Sequence, residues 1–237
     1  MLGQGNRGVS IGVLVALSLG GWSGVLASRW SAQAAEAPPH PVFEPVVVKP
    51  PRPAPATAAT SRRPTWPTSR ACGRSGARTV SFRVSVQRSL PVGAKRFAGQ
   101  VREILCDDRG WTASGSVRFR FDRDASITIA LRGPTATEAR CWELVGLSVR
   151  QTYSCAGSSE AALNADRWFD GSPTLTMSVG RYRHLLVNHE VGHILGHGHR
   201  GCSGVGARAP VMMQQSKGLD GCRANPWPLG YERQLTR

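Results

Sequence analysis

The sequence predicts an α+β fold, in which a mixed sheet packs against helices and a loop-rich part follows the last helix. Residues 79–86 alternate between apolar and polar side chains, which is the period of a half-buried strand. Residues 97–105 instead carry apolar side chains at helical spacing. A second helix is expected to begin near Arg181 and to end at Gly196, because glycine favours helix termination.

Four shorter segments complete the predicted sheet. Residues 117–121 and 127–131 have the composition of strands, and the charged residues 122–124 predict a turn between them. Further strands are expected at residues 147–154 and 175–179. The sequence contains no internal repeat.

Residues 1–35 have the layout of a secretory signal. Arg7 precedes an apolar stretch, and residues 32–34 offer a small-x-small cleavage site. The uncharged residues 9–27 are also barely long enough to span a bilayer, so this segment is either a signal peptide or an N-terminal membrane anchor. Both interpretations predict export, to a secreted or cell-surface location.

Residues 36–78 are rich in proline, alanine and arginine. Such a segment lacks the apolar side chains needed for a core, so it is expected to be a disordered linker. It either holds the following domain away from the membrane or has no specific role. Residues 79–237 are expected to form one domain of ordinary size.

The most informative feature is the run H-E-x-x-H-x-x-G-x-x-H from His189 to His199. His189 and His193 lie four residues apart on one helical face, so both imidazoles can bind a single zinc ion. Glu190 follows the first histidine, where its carboxylate can take a proton from a zinc-bound water.

The third ligand is expected to come from beyond the helix. At about 1.5 Å per residue, His197 lies roughly 12 Å from His189 along the axis, too far for a compact tetrahedral site. Gly196 can leave the right-handed region and turn the chain, so that His199 returns to the metal. Three protein ligands and one open position predict one catalytic Zn²⁺ ion. His197 is expected to face outward.

This spacing resembles the hallmark of the metzincin group of zinc metallopeptidases, in which a methionine-bearing turn follows the third histidine. Residues 209–213 (APVMM), here called the Met-turn, fit that feature. The resemblance implies a metzincin or zincin-like fold, with Met212 as an apolar floor beneath the zinc ligands and Met213 as the alternative. Where some metzincins place a tyrosine ligand, this chain has Gln214 and Gln215.

The C-terminal sequence also resembles a narrower group, the exported actinobacterial proteins that carry a zincin-like domain of unknown function. The resemblance rests on residues 187–189, 218–222 and 225–228, and it covers roughly residues 79–237. It implies a fold and an active site without naming a substrate.

Six cysteines in an exported chain predict disulfides, although sequence alone allows fifteen pairings. Closeness in sequence favours Cys141–Cys155 and Cys202–Cys222, and Cys72–Cys106 follows by elimination. Two alternatives are a metal-binding thiolate at position 202 or 222, and a latency thiolate at position 72 that caps the zinc.

The formal net charge is +15, with three lysines among thirty basic residues. A basic surface attracts polyanions, but these residues are scattered and accompany no nucleic-acid recognition motif. We therefore expect no specific nucleic-acid partner. Anionic lipids or wall polymers are equally compatible with the charge.

Together these features predict an exported zinc metalloendopeptidase that hydrolyses peptide bonds, with Glu190 as the general base. The expected partner is a protein or peptide substrate, or cell-envelope material, and the chain is expected to be a monomer. Two alternatives are a zinc-containing binding module, which has no need of a base, and a hydrolase of non-peptide amides at the cell envelope.

Overall fold

The structure, a computed structural model, describes residues 61–62 and 71–234. Within these residues one mixed sheet packs against four α-helices. The strands are β1 (Ser61–Arg62), β2 (Arg78–Gln87), β3 (Val117–Phe121), β4 (Ile127–Arg132), β5 (Cys155–Ala156) and β6 (Glu160–Asn164). The helices are α1 (Ala94–Leu105), α2 (Pro134–Val145), α3 (Ala165–Asp170) and α4 (Val179–Ile194), with 3₁₀ turns at Trp111–Ser114 and Gln215–Lys217.

The sheet is mainly parallel. β2 runs parallel to β3 along its first half and to β4 along its second half, and β4 is parallel to β6. The short strands β1 and β5 pair antiparallel with β2 and β6. β5 therefore forms an edge of the sheet.

Helices cover both faces of the sheet. Ala161 and Leu163 of β6 belong to the main core with α1 and α4, whereas Ala162 packs with Cys141 of α2. Because successive side chains of a strand point to opposite faces, α2 covers one face and α4 the other. This double covering explains why β6 is buried at every position and lacks the alternation of a half-exposed strand.

The main core fixes the helix that carries the histidine motif. Val187 and Val191 of α4 are fully buried against the sheet. Phe97 of α1 meets Trp168 of α3 edge to face, with ring centroids 4.9 Å apart. One side of α4 is thus held in a close-packed interior, and its position is set by the core.

The predicted mixed sheet packed against helices is confirmed, although the sheet is mainly parallel and helices cover both of its faces. β2, β3, β4 and α1 lie where alternation and helical spacing predict them. α4 begins at Val179 rather than near Arg181, because the Ser178 hydroxyl caps it by accepting a hydrogen bond from the Arg181 N–H.

The strand predicted at residues 147–154 is wrong. This segment forms turns, because the Glu138 carboxylate accepts hydrogen bonds from the Val149 N–H (2.9 Å) and the Gln151 N–H (3.0 Å). Those N–H groups are therefore not available for a strand ladder.

The strand predicted at residues 175–179 is also wrong, since this segment is the turn that leads into α4. Helix α2 was missed, although proline and glycine mark both of its ends. Pro134 is its first residue, and Gly146 ends it in the left-handed region with φ 68°.

The fold includes residues upstream of position 79. Ser61–Arg62 pair with β2, and Cys72 pairs with Phe119 by an isolated bridge. The predicted signal or anchor at residues 1–35 and most of the predicted linker at 36–78 lie outside the described residues. No helix among residues 71–234 has the length and apolar character needed to cross a membrane.

Two of the three disulfides, Cys141–Cys155 and Cys202–Cys222, are the pairs that closeness in sequence favours, and the third, Cys72–Cys106, is the pair that remains by elimination. No free cysteine is left in the described part of the chain for a metal-binding or latency thiolate. Disulfides of this number indicate an extracellular or otherwise oxidising environment.

Replacing both Cys141 and Cys155 by alanine should lower the free energy of unfolding by about 3 kcal/mol, as expected for a bridge that closes a loop of about fifteen residues. Denaturant unfolding followed by far-UV circular dichroism measures this change. A double variant that unfolds at the same denaturant concentration as the parent would contradict the expectation.

Candidate metal centre

Three histidines converge beside the C-terminal half of α4, where they line a cavity. One ring nitrogen from each of His189, His193 and His199 lies within 4.8 Å of the other two. The Nε2 atoms of His193 and His199 are 3.2 Å apart. Two nitrogens that each bind one zinc ion at about 2.0–2.1 Å in tetrahedral geometry stand about 3.3 Å apart, so the spacing fits this metal.

In two of these rings, a hydrogen bond at Nδ1 determines which of the two ring nitrogens carries the proton. The Nδ1–H of His189 donates to the Val211 carbonyl oxygen (2.8 Å), and the Nδ1–H of His193 donates to the His197 carbonyl oxygen (2.9 Å). A carbonyl can only accept, so Nδ1 carries the proton and Nε2 presents its lone pair. Both rings are therefore in the tautomer that a metal ligand requires.

Burial keeps the three rings neutral. It lowers the pKa of His189 to about 3, and the neighbouring His193 adds to this effect. Burial also lowers the pKa values of His193 and His199 below that of free histidine. Neutral imidazole is the form that binds metal ions, so the protein favours this form before any ion binds.

The end of α4 returns the third histidine to the other two. The Gly196 N–H donates to the His193 carbonyl (3.0 Å), and the His197 N–H donates to the Gly192 carbonyl (2.9 Å). Gly196 itself has φ +97°. This is the Schellman arrangement, which ends a helix with a left-handed residue and reverses the chain. Gly196 therefore leaves the right-handed region and turns the chain, as predicted.

His197 does not face outward, and that prediction is wrong. Its side chain is only 4% exposed and stacks on Trp111, with ring centroids 4.9 Å apart. The reversal at Gly196 points the next residue inward, beneath the end of the helix. Neither ring nitrogen of His197 has a hydrogen-bond partner among residues 71–234, and His197 is not one of the three converging histidines.

The Met-turn lies directly beneath the helix between the first two histidines. Met212 is fully buried, and a Cβ atom added at Gly192 would overlap its sulfur atom. The same Cβ would come within 2.9 Å of Trp111 Cζ2. Met213 instead packs with Ala209 in a separate small cluster. Met212 is therefore the methionine that packs against α4 at Gly192, whereas Met213 lines the cavity together with the three histidines.

Glu190 is placed beside the histidines with a free carboxylate oxygen. The side chain is 5% exposed, and its Oε2 atom has no hydrogen-bond partner among residues 71–234. Burial raises its pKa to about 8. A carboxyl group with this pKa gains and loses its proton near neutral pH, and once ionised its unused oxygen can accept a proton from a molecule bound next to it.

A cavity of about 280 Å³ opens beside the three histidines. Apolar side chains dominate its walls, and β5 forms part of them. Among the described residues, Glu190 is the one carboxylate in the lining. The other walls are formed by Val149, Tyr153, Cys155, Ala156, Tyr182, Leu185, Leu186, Ser216 and Lys217.

Sequence analysis missed the polar side chains that hold the Met-turn. Gln215 donates to the carbonyls of Pro210 (3.0 Å) and Asn225 (2.7 Å), and Asn225 donates to the carbonyl of Ala209 (2.9 Å). The Glu232 carboxylate accepts hydrogen bonds from the same turn. No local pattern marks these residues, because their partners lie up to 21 residues away.

Comparison with known proteins gives one family. The family described as "Protein of unknown function (DUF3152)" matches residues 55–227. No curated protein matches the chain. The match includes all three converging histidines, Glu190 and the Met-turn.

Replacing Gly192 by alanine should destabilise the protein by about 1–3 kcal/mol, because the added methyl group overlaps Met212 and crowds Trp111. The matched control is Gly99→Ala in α1, where an added Cβ would meet nothing within 4 Å. The control should gain up to about 1 kcal/mol from helix propensity. Equal unfolding midpoints for the two variants would show that the close approach at Gly192 does not constrain the site.

Proposed function

The chain belongs to the family described as Protein of unknown function (DUF3152), and we propose that it is a zinc-dependent hydrolase of the metzincin type that cleaves peptide bonds. One observation carries this proposal. Three neutral imidazoles converge at the spacing of tetrahedral zinc ligands, next to a buried carboxylate that has an unused oxygen.

The zinc site is proposed to consist of the Nε2 atoms of His189 and His193 together with His199. Among residues 71–234, three side chains are placed to bind the ion there, and three protein ligands are typical of catalytic rather than structural zinc. When bound, zinc would supply Lewis acidity that lowers the pKa of water and polarises a carbonyl group. The backbone acceptors at Val211 and His197 hold two of the rings in the orientation that this role needs.

Glu190 is proposed to be the general base and then the general acid. Its carboxylate takes the proton of the attacking water and passes it to the leaving amine nitrogen, so that the peptide bond breaks to an acid and an amine. The raised pKa makes Glu190 a stronger base toward the proton of the water. A pKa of about 8 also lets Glu190 release that proton to the leaving amine. A nearby divalent cation would keep the charged form available before the reaction.

The cleft offers two features that suit a peptide. β5 is an edge strand that pairs with β6, and both of its residues line the cavity, so an extended peptide is proposed to bind beside it through main-chain hydrogen bonds. Tyr182, Leu185 and Leu186 give the cavity an apolar wall that would accept an apolar side chain. These features support a protein or peptide as the substrate.

We also propose that the protein is exported. The three disulfides support an oxidising location, and the signal or anchor proposed at residues 1–35 would bring the chain there. We propose that the protein acts as a monomer, secreted or at the cell surface, on protein, peptide or cell-envelope material. The basic charge is not proposed to serve a specific nucleic-acid partner.

The direct test compares the chain, produced under oxidising conditions, with its Glu190→Gln variant. We expect one zinc ion per chain in both by elemental analysis. The parent should cleave members of a mixed peptide library read by mass spectrometry, and the variant should be about 10²- to 10⁴-fold slower because it lacks the base.

His184→Ala is the matched control, because His184 lies on the same helix but bonds to the Gly180 carbonyl outside the site. It should retain zinc and activity, whereas His193→Ala should lose zinc. A parent that binds zinc but cleaves no peptide would favour a binding module or a hydrolase of other amides. A parent without zinc would refute the proposal.

A further inference from the structure

We propose that Glu232 positions His189 for metal binding by acting through the backbone of the Met-turn. The inference rests on the proposed zinc site, and it adds a residue that touches neither the metal nor the histidine. Glu232 lies near the C-terminal end of the described chain, far in sequence from the motif.

The Glu232 side chain is fully buried and is surrounded by backbone donors. Its Oε1 atom accepts a hydrogen bond from the Met212 N–H (3.0 Å). Its Oε2 atom accepts from the Val211 N–H (3.0 Å) and from the Leu229 N–H (2.8 Å). A carboxyl group that accepts three hydrogen bonds and forms no ion pair within the described residues matches an ionised carboxylate held by backbone amides.

The link to His189 passes through one peptide group. The Val211 carbonyl and the Met212 N–H belong to the same planar peptide, and in a trans peptide they point in opposite directions. Glu232 binds the N–H end of this peptide, and the His189 Nδ1–H binds the carbonyl end at 2.8 Å. The orientation of the peptide plane, and with it the direction of the His189 ring, is therefore fixed from both sides.

The arrangement also affects the basicity of the ring. A negative charge at the N–H end polarises the peptide, which makes its carbonyl a stronger acceptor. A stronger acceptor at Nδ1 makes Nε2 a better electron-pair donor to a metal. Carboxylates commonly play this part by direct contact with a metal-binding histidine, and here the Val211–Met212 peptide transmits the effect.

The turn has a second set of anchors that do not reach His189. Gln215 and Asn225 hold the carbonyls of Pro210 and Ala209, at the start of the Met-turn. Removing the charge of Glu232 should therefore loosen the Val211–Met212 peptide while the Met-turn stays in place. A variant that folds but binds zinc more weakly would therefore indicate that Glu232 positions His189 and is not needed for folding in general.

The test measures zinc affinity by chelator competition for the full chain, Glu232→Gln and Glu232→Asp. We expect a loss of about 10- to 100-fold in both variants, the usual effect of removing an outer partner of a metal-binding histidine. The cobalt-substituted protein should also show a shifted visible absorption spectrum in the variants, because the ligand geometry changes.

Glu138→Gln is the matched control. Glu138 is also a largely buried carboxylate that holds two backbone N–H groups of a loop, but within residues 71–234 neither of these partners, Val149 and Gln151, has a hydrogen bond to the three histidines. Its zinc affinity should equal that of the parent. An equal loss in Glu138→Gln, or no loss in the Glu232 variants, would overturn the inference.

If the Glu232 variants do not fold, the amide proton resonance of Met212 in the parent chain still tests the inference. The Met212 amide proton should resonate downfield, as expected for a hydrogen bond to a carboxylate, and it should shift when zinc binds. An amide resonance that does not respond to zinc would overturn the inference and leave the proposed function standing. A parent chain that binds no zinc would overturn both.

Discussion

The reversal of the chain at Gly196 is the constraint on which the rest of the site depends. A straight helix can direct two histidines at one point, but a third on the same helix lies too far along the axis. The left-handed residue at Gly196 ends the helix and sends the chain back over it, so that His199 meets the other two rings. The same reversal moves His197 into the interior against Trp111, which packs beside Met212 under the helix.

Loops rather than regular elements form much of the surroundings of this site, and buried polar side chains hold them. Glu138 binds the backbone of the loop that forms one wall of the cavity, and Glu232 binds the backbone of the Met-turn below the histidines. In each case a buried carboxylate satisfies N–H groups that a strand or helix would otherwise satisfy. The fold thereby holds irregular backbone in one conformation.

Local sequence patterns predicted the parts of the structure that local forces determine. Alternation identified β2, and the spacing of His189 and His193 identified two of the three converging histidines, since both depend on residues a few positions apart. β6 was not predicted from the sequence, because a strand that is buried on both faces lacks the alternation of apolar and polar side chains. Glu232, which holds the Met-turn, was not predicted either, because its hydrogen-bond partners lie about twenty positions earlier and no local pattern indicates its role.

Two of the three disulfides join the segments that surround the cavity. Cys141–Cys155 ties β5, part of the cavity wall, to α2, and Cys202–Cys222 closes the chain segment that contains the Met-turn. While these thiols are reduced, both segments lack this covalent tie and are held to the core by packing and hydrogen bonds alone. Oxidation therefore adds one covalent constraint to the cavity wall and one to the segment that carries the Met-turn.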